Sequence, residues 1–307
     1  MSQRAKITIV GAGLMGHGIA YVFAAAGHTV RVFDRSEEAL ATLPERLARI
    51  ADLFGQEHSA LQNISSHADL AAAAEGAEFV VEAAAENLEI KQFIVASLEA
   101  IVSQRTIIAS NTSAVPITSI AEKAFNPERI VGAHFWNPPH LVNLVEVVQA
   151  EKTSLETVDA TIALLSGVGH HAVHVKKDIP GFIGNRLQHA LKREAIALVA
   201  DGVCDAKTVD DVVKYGFGKR LAVLGPLEQS DLVGLNLTKA IHATLMPDLD
   251  RTNKVHPFLE KKIAKGHLGM ATGEGFRSWS KKEASALRKR LDKFLVEQAQ
   301  AANNDTV

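Results

Sequence analysis

A single cysteine, Cys204, stands among 307 residues, so no internal disulfide can form and a reducing, cytoplasmic setting is expected. Cys204 has no special neighbour for catalysis and reads as a bystander. Neither sign of charge dominates. The 33 lysines and arginines against 35 aspartates and glutamates leave a net charge of −2, and no basic run points to nucleic acid or an anionic membrane surface. No stretch reaches the roughly 18 apolar residues of a conventional transmembrane helix. The first expected strand begins at Lys6, so no secretory leader is expected ahead of it. What remains is an ordinary globular composition, 47% hydrophobic and 22% charged, in a chain long enough for two domains.

The first part alternates strand-like and helix-like segments. Strands are expected at Lys6–Val10, 28–33, 78–81, 106–109, 130–134, Leu144–Val148 and His171–Val175, with helices over 14–26, 37–53, 88–102, 117–124 and 155–166. Such alternation predicts a doubly wound, mainly parallel α/β sheet of the Rossmann type. The pattern changes after Asp178-Ile-Pro-Gly-Phe182, where Pro180-Gly181 breaks regular structure. Segments 183–199, Ala206–Tyr215, 227–245, 257–265 and 281–300 all favour helix, and 301–307 reads as a frayed tail. The expected organisation is a dinucleotide-binding domain over 1–182 and an all-helical domain over 183–307.

The most informative motif is Gly11-Ala-Gly-Leu-Met-Gly16, a G-x-G-x-x-G run between a strand and a helix. It gains weight from Asp34, an acid about 20 residues further on at the end of the second strand. Gly11 permits a tight turn, Gly13 lets the backbone approach a pyrophosphate, and Gly16 allows close packing of helix on strand. With Leu14 and Met15 these residues form the expected phosphate loop at a helix N-terminus. The Asp34 carboxylate can accept from an adenosine ribose and would repel a 2′-phosphate. NAD is therefore the expected cofactor.

A second stretch, residues 132–148, places His134 at the end of a strand, where ligands bind in open α/β sheets. Glu146 lies in a separate strand among valines and must find a partner if buried. A carboxylate accepting from Nδ1–H would fix the imidazole tautomer and leave Nε2 free as a base. The alternative is a packed strand-end histidine and a solvated glutamate. Spacing does not decide between them.

Taken together, seven segments resemble the L-3-hydroxyacyl-CoA dehydrogenase family over almost the whole chain. They are 11–20, Val80-Val-Glu-Ala with Glu86-Asn-Leu88, Ala109-Ser-Asn-Thr-Ser113, His134 with Asn137-Pro and Glu146, 178–186, 225–235 and Thr272-Gly-Glu-Gly-Phe276. The resemblance implies a Rossmann domain followed by a helical domain that commonly dimerises, so a homodimer is expected. It implies that His134 is the catalytic histidine and Glu146 its orienting carboxylate. Ser113 and Asn185 match the residues that hold the reacting oxygen, Glu86 and Lys91 match residues near the cofactor, and Asn137 matches a residue supporting the His134 loop.

The chain departs from the acyl-CoA members in two places. The stretch between Asp34 and Glu86, lysine-rich and longer in those relatives, holds no lysine here, only Arg35, Arg46 and Arg49 as cations. In the loop after His134, Trp136 stands where phenylalanine is usual, and Pro139-His140 with Asn143 replaces an apolar–lysine ending. Trp136, His140 and Asn143 become candidate substrate contacts. This run resembles family members that act on small free substrates, among them L-gulonate and carnitine 3-dehydrogenases and a pyridine-aldehyde dehydrogenase of vitamin B6 breakdown. The expected substrate is a small 3-hydroxy acid. A short-chain acyl-CoA, a ring aldehyde and a non-catalytic role like that of lambda-crystallin are the alternatives. His170-His171 with His174 is not expected to bind metal, since His171 and His174 point to opposite faces of a strand.

Overall fold

The computed structural model of the protein describes residues 4–55 and 57–304. Short apolar runs form eight strands: β1 (Lys6–Val10), β2 (Thr29–Phe33), β3 (Ile64–His67), β4 (Phe79–Glu82), β5 (Ile107–Ser110), β6 (Ile130–Phe135), β7 (Leu144–Val148) and β8 (His171–Val175). They make one sheet in the order β3-β2-β1-β4-β5-β6-β7-β8. Every neighbouring pair is parallel except β6 and β7, which run antiparallel. The sheet is therefore doubly wound and mainly parallel, as expected.

Alternation along the strands sends side chains into two cores. Ile7, Ile9, Phe79 and Val81 pack on one face with α1 (Gly16–Ala25), α3 (Leu43–Phe54) and α7 (Leu155–Gly167). Val10, Val80 and Ile108 pack on the other with α5 (Leu88–Glu99) and α6 (Ile117–Ala121). Burial on both faces explains why the central strands read as continuous apolar runs. The strand order reverses between β1 and β4, and the crevice at that switch point is where such sheets bind ligands.

The helix expected over 37–53 is two helices, α2 (Glu37–Ala41) and α3, because Pro44 sits in the first turn of α3 and Thr42 separates them. Two elements were not legible. β3 is an edge strand whose Ile-Ser-Ser-His carries one apolar residue, and α4 (Leu70–Ala74) is a five-residue helix capped by Asp69.

The chain divides into two compact units, 1–186 with 291–307, and 187–290. Of the last helix, residues 291–304 group with the first of these units. The helices after β8 are α8 (Gly184–Ala200), α9 (Ala206–Tyr215), α10 (Pro226–Val233), α11 (Leu235–Leu245), α12 (Pro257–Ala264) and α13 (Lys281–Asn304). The helix expected over 227–245 is broken at Gly234, whose φ of 93° interrupts helical geometry between α10 and α11. The final turns of α13 occupy 301–304, where fraying was expected, and 305–307 lie outside the described residues. No helix among the described residues is long and apolar enough to cross a membrane.

Candidate active site

The three glycines of the first loop meet three different constraints. Gly11 has a φ of 110° and faces the Ala83 carbonyl oxygen, which an added Cβ would approach to 2.6 Å. A Cβ at Gly16 would collide with the Gly11 carbonyl. At Gly13 a Cβ would meet nothing within 4 Å, so that side of the loop is open. No side chain caps the start of α1, which leaves its N-terminal N–H groups for an anion.

Asp34 ties this loop to β2. Its Oδ2 accepts from the Ala12 N–H (2.7 Å) and its Oδ1 from the Ser36 N–H (2.8 Å). Each oxygen keeps a second lone pair for a ribose hydroxyl. Arg46 reinforces the turn by donating to the Ala12 carbonyl at 2.6 Å. Beside the loop lies a cavity of about 650 Å³ lined by Gly13, Asp34 and Arg35 on its polar side and by Ile90 and Phe93 on its apolar side. An open glycine face, an uncapped helix start and a carboxylate at the strand end fit NAD. Leu14 and Met15 flank the loop but do not line this cavity, and neither do Glu86 and Lys91.

His134 and Glu146 face one another directly across the antiparallel β6–β7 pair. Opposed residues of such a pair project from the same side of the sheet. His134 Nδ1–H donates to Glu146 Oε2 at 2.8 Å. Burial pushes the Glu146 carboxyl up, but the His134 hydrogen bond and the Gly184 and Ile183 N–H groups outweigh it and hold it below the ordinary carboxylate range. An ionised Glu146 only accepts, so Nδ1 carries a proton, and in the neutral imidazole Nε2 then carries the lone pair. The imidazole is 5% exposed and packed between the rings of Trp136 (5.7 Å) and Phe182 (5.5 Å).

The other Glu146 oxygen anchors the next element. Oε1 accepts from Ile183 N–H (2.9 Å) and Gly184 N–H (3.0 Å) at the start of α8. One residue later, Asn185 Nδ2 donates to the Ser113 carbonyl at 3.2 Å. Ser113 itself is exposed on the loop after β5. That loop is held by Glu86, whose Oε1 accepts from Thr112 Oγ1 (2.6 Å), Ser113 N–H (2.9 Å) and Ala114 N–H (2.8 Å). The structure thus links His134, Glu146, Asn185, Ser113 and Glu86 through one set of contacts.

Three expected residues fall differently. His140 and Asn143 do not join this group. They line a separate cavity with Tyr21, Phe54 and His170. His140 turns toward α1 because Gly18 has no side chain, and Pro139 and His140 fill the notch it leaves. Burial there, with nearby His17, lowers the His140 pKa to about 4. Lys91 is fully buried, and its Nζ lies 3.0 Å from Glu82 Oε2 and 3.5 Å from Glu86 Oε2. Trp136 stays beside His134 and lies so close to Gly184 that a Cβ there would run into the indole.

Sequence reasoning missed Glu82, Ser110, Thr112 and Phe182. Glu82 had a readable signal: a charge closing the otherwise apolar strand Phe79-Val-Val-Glu82, at the end that faces the crevice. His170 Nε2–H donates to the Pro139 carbonyl (3.0 Å) and His174 pairs with Gln149 (3.0 Å). Among the described residues no cluster of three or more His, Cys, Asp or Glu could hold a metal ion.

Known proteins match over the whole arrangement. The model of the 3-hydroxyacyl-CoA dehydrogenase NAD-binding domain matches residues 6–179, and that of the family's C-terminal domain matches 181–279. The 5-formyl-3-hydroxy-2-methylpyridine 4-carboxylate 5-dehydrogenase of Mesorhizobium japonicum is 34% identical over 296 residues, covering 95% of this chain and 96% of the relative. A crystal structure of an enzyme of that name, described as an NAD+-dependent dismutase, superposes with a TM-score of 0.91 at 33% identity, covering 98% and 99% of the two chains. The (S)-3-hydroxybutyryl-CoA dehydrogenase of Ralstonia eutropha gives a TM-score of 0.73 at 32% identity, covering 91% and 100%. Nothing in these relatives supports the non-catalytic alternative. The chain belongs to the 3-hydroxyacyl-CoA dehydrogenase family and is an NAD-dependent dehydrogenase.

Proposed function

We propose that His134, Glu146, Ser113 and Asn185 oxidise a compact free hydroxy acid or a related small carbonyl compound, and that CoA thioesters are poor substrates. The observation that carries the substrate class is the fate of the cations between Asp34 and Glu86. Arg46 is spent on the Ala12 and Ala39 carbonyls, Arg49 pairs with Glu45, and Arg35 lines the cofactor cavity. That leaves a lysine-free segment with only Arg49, in an exposed pair with Glu45, to meet the several phosphate charges of CoA, which need cationic or N–H partners.

The glycine loop and Asp34 would hold NAD, which when bound supplies the hydride acceptor. In this reading His134 Nε2 takes the hydroxyl proton, and Glu146 stabilises the imidazolium that forms. The Ser113 hydroxyl and the second N–H of Asn185 Nδ2 donate to the oxygen as it passes from alcohol to carbonyl. In reverse, His134 returns the proton.

A second reading is oxidation of a small ring aldehyde, favoured by the 0.91 TM-score to the pyridine-carboxylate dehydrogenase. A hydrated aldehyde presents the same H–C–O–H unit to His134, so the residue roles carry over unchanged. The deciding experiment compares kcat/KM, by NADH absorbance, for L-3-hydroxybutyryl-CoA, free 3-hydroxy acids and pyridine aldehydes. A thioester value orders of magnitude above every free compound would overturn the compact-substrate reading.

Asp34 is proposed to set cofactor choice. NADH should bind more tightly than NADPH by roughly tenfold or more, the worth of a hydrogen bond to a charged group. Asp34→Ala should narrow the ratio in a fluorescence titration, and equal affinities in the unmodified protein would remove this role from Asp34.

The helical unit is proposed to form a homodimer with a second copy. Its apolar side chains are unusually open, with Val223 83%, Leu227 79% and Leu232 71% exposed. A monomer rarely leaves that much apolar surface in water. The single cysteine favours a cytoplasmic location.

A further inference from the structure

We propose that Glu82 and Lys91 are positioning residues for the reaction: their buried ion pair pins Glu86, and Glu86 holds the loop that presents Ser113. This rests on Ser113 holding the reacting oxygen.

Glu82, Lys91 and Ser110 are all fully buried, at the ends of β4 and β5 and on the first turns of α5. Lys91 Nζ donates to Glu82 Oε1 (3.1 Å) and Oε2 (3.0 Å), and its charge lies 3.5 Å from Glu86 Oε2. Glu82 is saturated from the other side by Ala84 N–H (2.8 Å) and Ser110 Oγ (2.5 Å). Lys91 itself has no exposed surface.

Glu86 differs from its buried neighbours because its side chain is 40% exposed. Burial raises its pKa, but the Thr112 hydroxyl, the Ala114 N–H, the Lys91 charge and the Ser113 N–H together hold it below the ordinary range. An exposed carboxylate would rotate into water unless something fixed its second oxygen, and Lys91 is the group there. Fixing Oε2 leaves Oε1 aimed at the Thr112, Ser113 and Ala114 donors. A buried ion pair is a poor device for stability alone, since apolar residues of similar volume often do as well. Here the charge reaches a half-exposed partner that apolar residues could not hold.

The test uses the double variant Glu82→Gln/Lys91→Met, which removes both buried charges and leaves neither unpaired. Its readouts are amide hydrogen exchange over 112–115, NADH affinity by fluorescence titration, and kcat and KM. The probes are L-3-hydroxybutyrate, L-3-hydroxybutyryl-CoA and 5-formyl-3-hydroxy-2-methylpyridine 4-carboxylate. Exchange over 112–115 should rise by about tenfold or more while β1 is unchanged, as expected of a local opening. On whichever probe is turned over, kcat should fall by about 10²-fold, the scale of a misplaced reacting group, with KM and NADH affinity nearly unchanged. Weakened NADH binding with intact kcat would return Lys91 to the cofactor, and unchanged exchange over 112–115 would remove it from the Ser113 loop. In a Ser113→Ala background the double variant should cost little further kcat, because effects through one group do not add. If Ser113→Ala alone leaves kcat intact, the role of Ser113 fails. If only the double variant leaves kcat intact, the positioning role of Glu82 and Lys91 fails.

Discussion

His134→Gln is expected to lower kcat by about 10²–10⁴, the usual worth of a positioned acid–base group, while NADH binding is retained. The glutamine amide can still donate to Glu146 Oε2, so the β6–β7 pair keeps a hydrogen bond where the Nδ1–H stood. It offers no group that can take and return a proton at the substrate oxygen. The site is otherwise unaltered, because the imidazole is enclosed by Trp136 and Phe182 and does not line the cofactor cavity. Steady-state NADH absorbance with a fluorescence titration separates the two effects. Turnover near that of the unmodified protein would overturn the role of His134 and require another base.

Local rules were the most readable part of this chain. The glycine loop could be read because Gly11 and Gly16 answer short-range steric demands and Gly13 leaves the face of the loop open. The alternation of strands and helices was legible because central parallel strands are apolar on both faces. β3 was not, because one side of an edge strand can be polar, and Ile-Ser-Ser-His looks like a turn.

The site was legible in part for a different reason. His134 and Glu146 stand in two apolar runs, and a buried carboxylate needs a partner. The cross-strand register that joins them depends on β7 turning back antiparallel. His140 shows the limit of reading by proximity. It is six residues from His134 in sequence, yet the chain turns over Pro138–Leu141 and carries it against Gly18 of α1. Phe182 lay beyond local reading, because the ring it packs against, His134, is 48 positions away, and for Glu82 the strand showed a charge but not its ion-pair partner Lys91, 9 positions on.

Glu146→Gln is expected to cost nearly as much as loss of the histidine, by about 10³–10⁴ in kcat, although it alters one atom. The size follows from what holds the other oxygen. In the native site Glu146 Oε1 accepts from the N–H groups of Ile183 and Gly184, two backbone donors that cannot turn away. A glutamine must therefore place its carbonyl oxygen toward α8, since its NH₂ would face two donors. The NH₂ is then left facing His134 Nδ1, 2.8 Å away in the native pair. Two donors cannot share that bond, so the imidazole adopts the tautomer with its proton on Nε2. A protonated Nε2 cannot accept from a substrate hydroxyl. The variant should fold and bind NADH, and its defect should appear in kcat more than in KM. Glu146→Ala provides the contrast, because it leaves His134 free to choose either tautomer but orphans both N–H groups of α8. Glu146→Gln should thus be the better folded and the less active of the two. Equal rates for the two variants at equal stability would show that Glu146 acts by charge alone, without dictating the tautomer, since both remove the charge.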